Sequence, residues 1–176
     1  MTNFYSETTK WLLPETVLPD SLMEMEIDGR RGNEGVVLWL GRDEGEIAEV
    51  THLVKLRGPL VTKRPNHIHI ESALFNDVAD LAIDHNIRLL GQIHSHGPGY
   101  SLNLSTTDRV YGLQTPYYLS LVAPEYALSG SSIIDCGVHV FRPERGYVRL
   151  NDAEVSRQIN IVPGPHLPFI EVGGLG

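Results

Sequence analysis

The densest apolar run of the chain, NEGVVLWLG at residues 33–41, limits most strongly the folds open to it. Its β-branched and aromatic residues form one block that ends at Gly41, which is the pattern of a buried strand. A second run, EIAEVTHLVKL at residues 46–56, predicts another strand. Because the polar segment GRDEG separates the two runs, we expect them to pair as a hairpin.

Helical periodicity appears in residues 70–86, where one face carries the apolar residues Leu74, Val78, Leu81 and Ala82. A short helix is predicted to begin at residues 19–21 and to end before the Gly-rich residues 29–33. A further helix begins near Ser105, and apolar strands are predicted over residues 87–96, 117–124, 132–142 and 146–150. Strands and helices mix without strict alternation, which predicts an α+β fold, an α/β sandwich whose mixed, largely antiparallel sheet is flanked by helices.

Chain length and composition predict one domain. The chain has 176 residues, of which 41% are hydrophobic and 20% charged, and these values are ordinary for a globular protein with its own core. Residues 1–17 are interpreted as a loosely defined lead-in, residues 18–152 as the folded domain and residues 153–176 as an irregular, proline-containing tail. The Gly173-Gly174 pair in that tail indicates a flexible end.

Charge and hydropathy exclude several functions. The net charge of −8 and a pI near 5.4 argue against nucleic-acid binding, which needs a basic face. No apolar run is long enough for a signal peptide or a membrane span, so we expect a cytoplasmic protein that does not bind membranes. Cys136 is the only cysteine, so neither an internal disulfide nor a Cys-rich zinc site is available, and we interpret Cys136 as a core residue.

His94 and His96 end one predicted strand and are followed by a glycine-rich loop. On an extended backbone, residues two apart face the same side, so both imidazoles are placed to bind one zinc ion. Asp108 lies at the start of the next helix, where its carboxylate is able to return towards the strand end. Two histidines and one carboxylate leave a fourth position open, as catalytic zinc sites do.

Other interpretations of these residues stay open. Ser105 and Asp108 also form a capping box, which is common at helix starts and compatible with metal binding. His67 and His69 repeat the His-x-His spacing without a following helix start, so we interpret them as ordinary strand or loop residues, or at most as part of a substrate surface.

The His94-Ser-His96 pair, the glycine-rich loop and Ser105-x-x-Asp108 together resemble the JAMM motif of the MPN-domain zinc isopeptidases. That family also carries a glutamate at the head of an apolar strand ending in glycine, a position that Glu34 matches. The resemblance covers most of residues 20–150 and is closest in character to bacterial members. Two departures are that Gly97 follows His96 where the family usually has proline, and that the loop to Ser105 is one residue longer.

The resemblance implies an MPN/JAB-like fold with cytidine-deaminase-like layering in the domain of residues 18–152. It implies a Zn²⁺ ion held by His94, His96 and Asp108, with Glu34 as general base and Ser105 as a donor to the oxyanion. The implied activity is that of a deubiquitinase-like metalloprotease, which cleaves a ubiquitin-like modifier from its conjugates or processes its C-terminal tail. Two alternatives are a catalytically silent MPN scaffold and a JAMM-type peptidase for another peptide or for a sulfur-carrier protein.

Overall fold

A computed structural model describes residues 7–174 of the chain. Four α-helices occur in this range: α1 (Val17–Gly29), α2 (Ser72–Asp84), α3 (Thr106–Tyr111) and α4 (Asp152–Gln158). The strands are β1 (Lys10–Pro14), β2 (Val36–Glu44), β3 (Ile47–Leu56), β4 (Val61–Arg64), β5 (His67–Ile70), β6 (Arg88–Ser95), β7 (Leu119–Ala123), β8 (Gly137–Arg142), β9 (Gly146–Arg149), β10 (Ile159–Val162) and β11 (Phe169–Val172). The class is α+β, as predicted.

Nine of the eleven described strands form one mixed sheet in the order β10-β1-β3-β2-β6-β7-β8-β9, to which β11 is added beside β3. The long pairings of β2 with β3 and with β6 are antiparallel, whereas β6 pairs with β7 in parallel. The predicted hairpin is therefore present as β2 and β3. Its pairing shifts register between Leu40 and Gly41, and a Cβ on Gly41 would lie 1.8 Å from the Glu49 carbonyl oxygen, so only glycine fits there.

Side chains of β2 alternate between two cores on opposite faces of the sheet. Val37 and Trp39 belong to the core that α1 covers, and Leu38 to the core that α2 covers. The indole N–H of Trp39 donates to Ser21 Oγ of α1 at 3.0 Å, so its burial leaves no unpaired donor. Coverage of both faces explains why the run at residues 36–40 is continuously apolar instead of alternating.

Both chain ends differ from the prediction. Of the lead-in, residues 1–6 lie outside the described range, but Lys10–Pro14 is strand β1, paired in parallel with β3 and β10. The predicted irregular tail contains α4, β10 and β11 instead. The expectation of irregular ends was wrong because these strands are stabilised by partners that lie far away in sequence, and their short proline-flanked runs carry little local signal.

Two interior segments also differ. The strand predicted over residues 132–142 begins only at Gly137, because Ser132 and Asp135 form a capping box that starts a short 3₁₀ turn at Ile133–Asp135. Strands β4 and β5 form a separate antiparallel hairpin, hereafter the β4–β5 hairpin, between β3 and α2. This hairpin contains His67 and His69, and it lies beside the site described next.

Candidate metal centre

The two histidines are placed by β6, a central strand between β2 and β7. His94 is in register with Val36 on one side and with Val122 on the other, and His96 follows the end of the strand. Both residues are buried, with 2% and 7% of their surface exposed. Their Nε2 atoms lie 3.1 Å apart, so the predicted convergence of the two imidazoles is present.

Asp108 comes to the same point from the first turn of α3. Its Oδ2 atom lies 3.5 Å from Nε2 of His94 and 3.5 Å from Nε2 of His96. The same oxygen accepts a 2.7 Å hydrogen bond from the Ser105 backbone N–H, while Ser105 Oγ accepts one of 3.1 Å from the Asp108 N–H. The capping box and the approach to the histidines therefore exist together, and the cap fixes the carboxylate in place.

The three atoms fit one divalent metal ion. In a tetrahedral zinc site with bonds of about 2.05 Å, neighbouring ligand atoms are separated by about 3.3 Å. The separations of 3.1, 3.5 and 3.5 Å lie close to that value. Nitrogen and carboxylate donors suit zinc and also other first-row divalent ions, so the donor set defines a metal-binding triad without selecting the metal.

The protonation of the ring supports this role for His96. Its Nδ1 lies 2.6 Å from the Ser101 carbonyl oxygen, which only accepts, so Nδ1 carries the proton and Nε2 of the neutral ring keeps its lone pair. Burial acts to lower the pKa of His96, but the Asp108 carboxylate and the Ser101 carbonyl raise it above the usual value. Burial acts to raise the pKa of Asp108, yet the neighbouring His94 and His96 rings, which attract its carboxylate when they are protonated, hold it well below its usual range. The site therefore attracts a cation, whether a proton or a metal ion.

Glu34 lies next to this triad. The residue is only 6% exposed, and its backbone N–H donates to the Arg64 carbonyl oxygen of the β4–β5 hairpin at 2.9 Å. Burial raises the pKa of Glu34 to about 7, with His96 lowering it and the Asp108 carboxylate raising it further. A carboxyl group with such a pKa exchanges protons near neutral pH, which a general base must do.

Ser95 stabilises the strands and does not enter the site. It is fully buried on the opposite face, and its Oγ accepts a 2.9 Å hydrogen bond from the Gly35 N–H. This bond joins the histidine strand to the residue that follows Glu34, so it helps to hold Glu34 in position beside His96.

A cavity of about 700 Å³ opens on one side of the triad. His94 and Asp108 line it, and all four residues of β5, including His67 and His69, form one wall. Gln92 and Ser120 also line it, two residues that the sequence analysis missed. The period-two pattern contained a signal for Gln92, because it precedes His94 by two positions and so shares its face.

Tyr126 is a third residue that the sequence analysis missed. Glu125, Tyr126 and Ala127 all have left-handed φ values of 52° to 63°, which costs energy for residues other than glycine. The turn lets the Tyr126 N–H donate to the His96 carbonyl at 2.8 Å while the Tyr126 hydroxyl donates to the Pro65 carbonyl at 2.9 Å. A Cβ on residue 97 would lie 2.7 Å from the Tyr126 ring, which explains why glycine stands at Gly97.

Cys136 and His139 do not form a nucleophilic pair. Cys136 is buried in the core, as predicted, and burial raises the pKa of its thiol to about 12, so it stays protonated. His139 is also buried, and burial lowers its pKa to about 4. Neither residue belongs to the triad.

Comparison with known proteins supports the fold alone. The chain matches no protein-family model and no curated protein. Its fold is similar to the solution structure of protein DSY2949 from Desulfitobacterium hafniense, with a TM-score of 0.64 over 88% of this chain and 94% of that one, at 17% sequence identity. Among the helices described here, none combines the length and apolar character needed to cross a membrane.

Proposed function

We propose that the protein is a zinc-dependent isopeptidase or protease with an MPN/JAB-like fold, which removes a ubiquitin-like modifier from its conjugates or processes the modifier's C-terminal tail. The observation that carries this proposal is the convergence of His94, His96 and Asp108 within ligand distance of one point, with the Glu34 carboxyl beside them. A closed structural zinc site would have four protein ligands, whereas this triad leaves a position for a reactant.

The residues of the chain suit hydrolysis of an amide. Bound zinc supplies a Lewis acid and lowers the pKa of a coordinated water. With its pKa near 7, Glu34 takes a proton from the attacking water and returns it to the leaving amine, which departs poorly without one. Ser105 Oγ accepts from the Asp108 N–H, so its own proton is free to be donated to the oxygen that becomes negative.

The cavity wall suits an extended peptide. In the described part of the chain, β5 pairs only with β4, so its other edge has no strand partner. All four residues of β5 line the cavity, which means that this edge faces it. A modifier tail entering the cavity would add to β5 as a further strand through backbone hydrogen bonds.

The test combines metal analysis with cleavage. Protein purified without chelator is expected to contain about one zinc per chain, consistent with the one triad found among residues 7–174. Incubated with a panel of ubiquitin-like conjugates and C-terminally extended modifiers, it should release the modifier with an intact C-terminus, as read by mass spectrometry.

A matched pair of variants assigns the base. Glu34→Gln should keep zinc and fold but lose at least 100-fold in rate, since general-base catalysis contributes about that much. Glu44→Gln changes an exposed carboxylate on the same stretch of chain and should cleave normally. Full activity in Glu34→Gln would refute the mechanism, and a protein without zinc or cleavage would favour the catalytically silent scaffold.

A further inference from the structure

We propose that the cavity beside the metal-binding triad is a specificity site for one substrate side chain, and that this side chain ends in a carbonyl oxygen, as an amide or a carboxylate does. The inference rests on the proposed hydrolysis, which defines the side of the cleaved bond on which the cavity lies. The inference adds a substrate class to the proposed function. A tail with only glycine next to the cleaved bond would place no side chain in this cavity, and water would fill it instead.

The first step is the side of the cleaved bond to which the cavity belongs. The cavity touches His94 and Asp108, while His96 and Glu34 lie outside its lining. Along β2 and β6, Val36 is in register with His94, and Glu34 is displaced towards His96. Since Glu34 returns the proton to the leaving amine, the amine departs on the Glu34 side, and the acyl segment occupies the cavity side.

The second step is size. Ligand sites commonly measure about 300–1,000 Å³, and the cavity of about 700 Å³ falls within that range. It extends from His94 towards Gln92, one step of two residues along the strand, which spans about 6.6 Å. A long side chain on the residue whose carbonyl is attacked covers that distance, whereas glycine and alanine do not.

The third step is the chemistry of the floor. Gln92 on β6 and Ser120 on β7 are in register on neighbouring strands, so their side chains stand side by side. Gln92 Oε1 accepts a 3.2 Å hydrogen bond from the Tyr118 hydroxyl, which fixes the amide and leaves its NH₂ group to donate. Within residues 7–174, neither this NH₂ group nor Ser120 Oγ has a hydrogen-bond acceptor.

Two donors therefore converge inside a cavity whose other walls include apolar Val36, Leu104 and Leu113. One carbonyl oxygen has two lone pairs and is able to accept from both donors. A leucine of comparable volume would occupy the space and cover the donors without pairing them, which is unfavourable. The floor thus selects a side chain with a terminal acceptor over an apolar one of equal size.

The experiment uses product-like peptides. N-acetylated Ala-Gly-Xaa tripeptides with a free carboxylate, where Xaa is glutamine, glutamate, leucine or glycine, are titrated into the zinc-loaded protein by isothermal calorimetry. One of the two polar peptides, glutamine or glutamate, should pair both floor donors better than the other. We expect that peptide to bind about tenfold more tightly than the leucine peptide. Comparison of these two peptides distinguishes an amide from a carboxylate ligand.

Two variants of the floor provide the controls. Ser120→Ala removes one donor, and Gln92→Glu keeps an oxygen for the Tyr118 hydroxyl while removing the NH₂ donor. Each should reduce the preference over leucine to about threefold or less, and exposed Ser156→Ala on α4 should leave it unchanged. Circular dichroism verifies that each variant is folded.

Equal affinity for the glutamine, glutamate and leucine peptides, no binding of any of them, or an unchanged preference in both floor variants would overturn the inference. Its failure is separable from failure of the proposed function. If conjugates are cleaved but the peptides show no preference, the specificity site is refuted and the proposed hydrolase is retained. If the peptides show the preference but no conjugate is cleaved, the binding site is retained and the proposed hydrolase is refuted.

Discussion

Zinc should raise the melting temperature of this protein, and replacing Asp108 by asparagine should abolish most of that increase. Three ligand atoms already lie at separations of 3.1 to 3.5 Å, so binding needs little rearrangement of the native state. At zinc 100-fold above its dissociation constant, binding to the native state alone adds about 2.7 kcal/mol. For a chain of this size each kcal/mol shifts the midpoint by about 2–4 °C, so we expect an increase of about 5–11 °C.

Asp108→Asn keeps an oxygen that accepts from the Ser105 N–H, so the helix cap survives while the negative ligand is lost. Even changes outside the ligand shell weaken metal affinity by about 10- to 100-fold, so losing a ligand charge should cost at least the larger factor. At the same zinc concentration the stabilisation then falls to about 0.4 kcal/mol, which is an increase of about 1–2 °C.

The assay is differential scanning calorimetry with zinc or with EDTA, comparing each protein with its own zinc-free midpoint. Asp135→Asn is the matched control, because Asp135 closes another capping box with Ser132 and lies outside the triad. It should keep the full zinc effect. Acidification should reduce the wild-type effect, because the raised pKa of His96 lets protons compete with the metal as the pH falls through the histidine range. A wild-type midpoint that does not respond to zinc, or a full response in Asp108→Asn, would refute the assignment.

Three further changes test other contacts. Tyr126→Phe deletes the hydroxyl that bonds the Pro65 carbonyl, so amides of the β4–β5 hairpin should exchange about fivefold faster by hydrogen-exchange mass spectrometry, while those of β6 keep their rates; unchanged hairpin exchange would contradict this. His139→Leu should remove an acid-sensitive part of the stability. The pKa of His139 in the folded protein is lowered to about 4, so the unfolded chain binds the proton at a higher pH than the folded chain does. In urea unfolding, wild type should therefore lose about 2 kcal/mol more of its unfolding free energy than the variant between pH 7 and pH 5. Equal pH dependence in the two proteins would count against it. Ser105→Ala removes the acceptor of the Asp108 N–H and should lower the unfolding free energy of the zinc-free protein by about 1 kcal/mol, as measured in urea. An unchanged unfolding free energy would show that the cap does not stabilise the fold.

Elements with strong local patterns were predictable from sequence. The apolar block around Trp39, the periodic face of α2 and the start of α3 at Ser105 all follow from residues within one element. The His94 and His96 pair was found because period two holds on any strand, and Asp108 because a helix start directs its first carboxylate backwards. These residues meet in the structure as the spacing suggested.

The remaining features depend on contacts with residues far away in the sequence, which no local pattern indicates. Strand β1 is defined by pairing with β10, and β11 by pairing with β3, so each appears irregular when its own residues are considered alone. The pairing of Gln92 with Ser120 depends on the register of two strands separated by α3 and a loop. For the same reason, the contact of Tyr126 with Gly97 and Pro65 was not visible in the sequence.

The pairing of Trp11 with Ile159 joins positions 148 residues apart in the chain. On the ribosome, β1 emerges well before β10, so its outer neighbour exists only after the long intervening segment has been made. During that interval its free edge is a template for association with other nascent chains, a hazard that contacts of high sequence separation prolong. A protein shortened after Leu150 would keep every residue of the triad yet expose that unpaired edge permanently, so we expect it to accumulate as aggregates and not as a smaller folded protein.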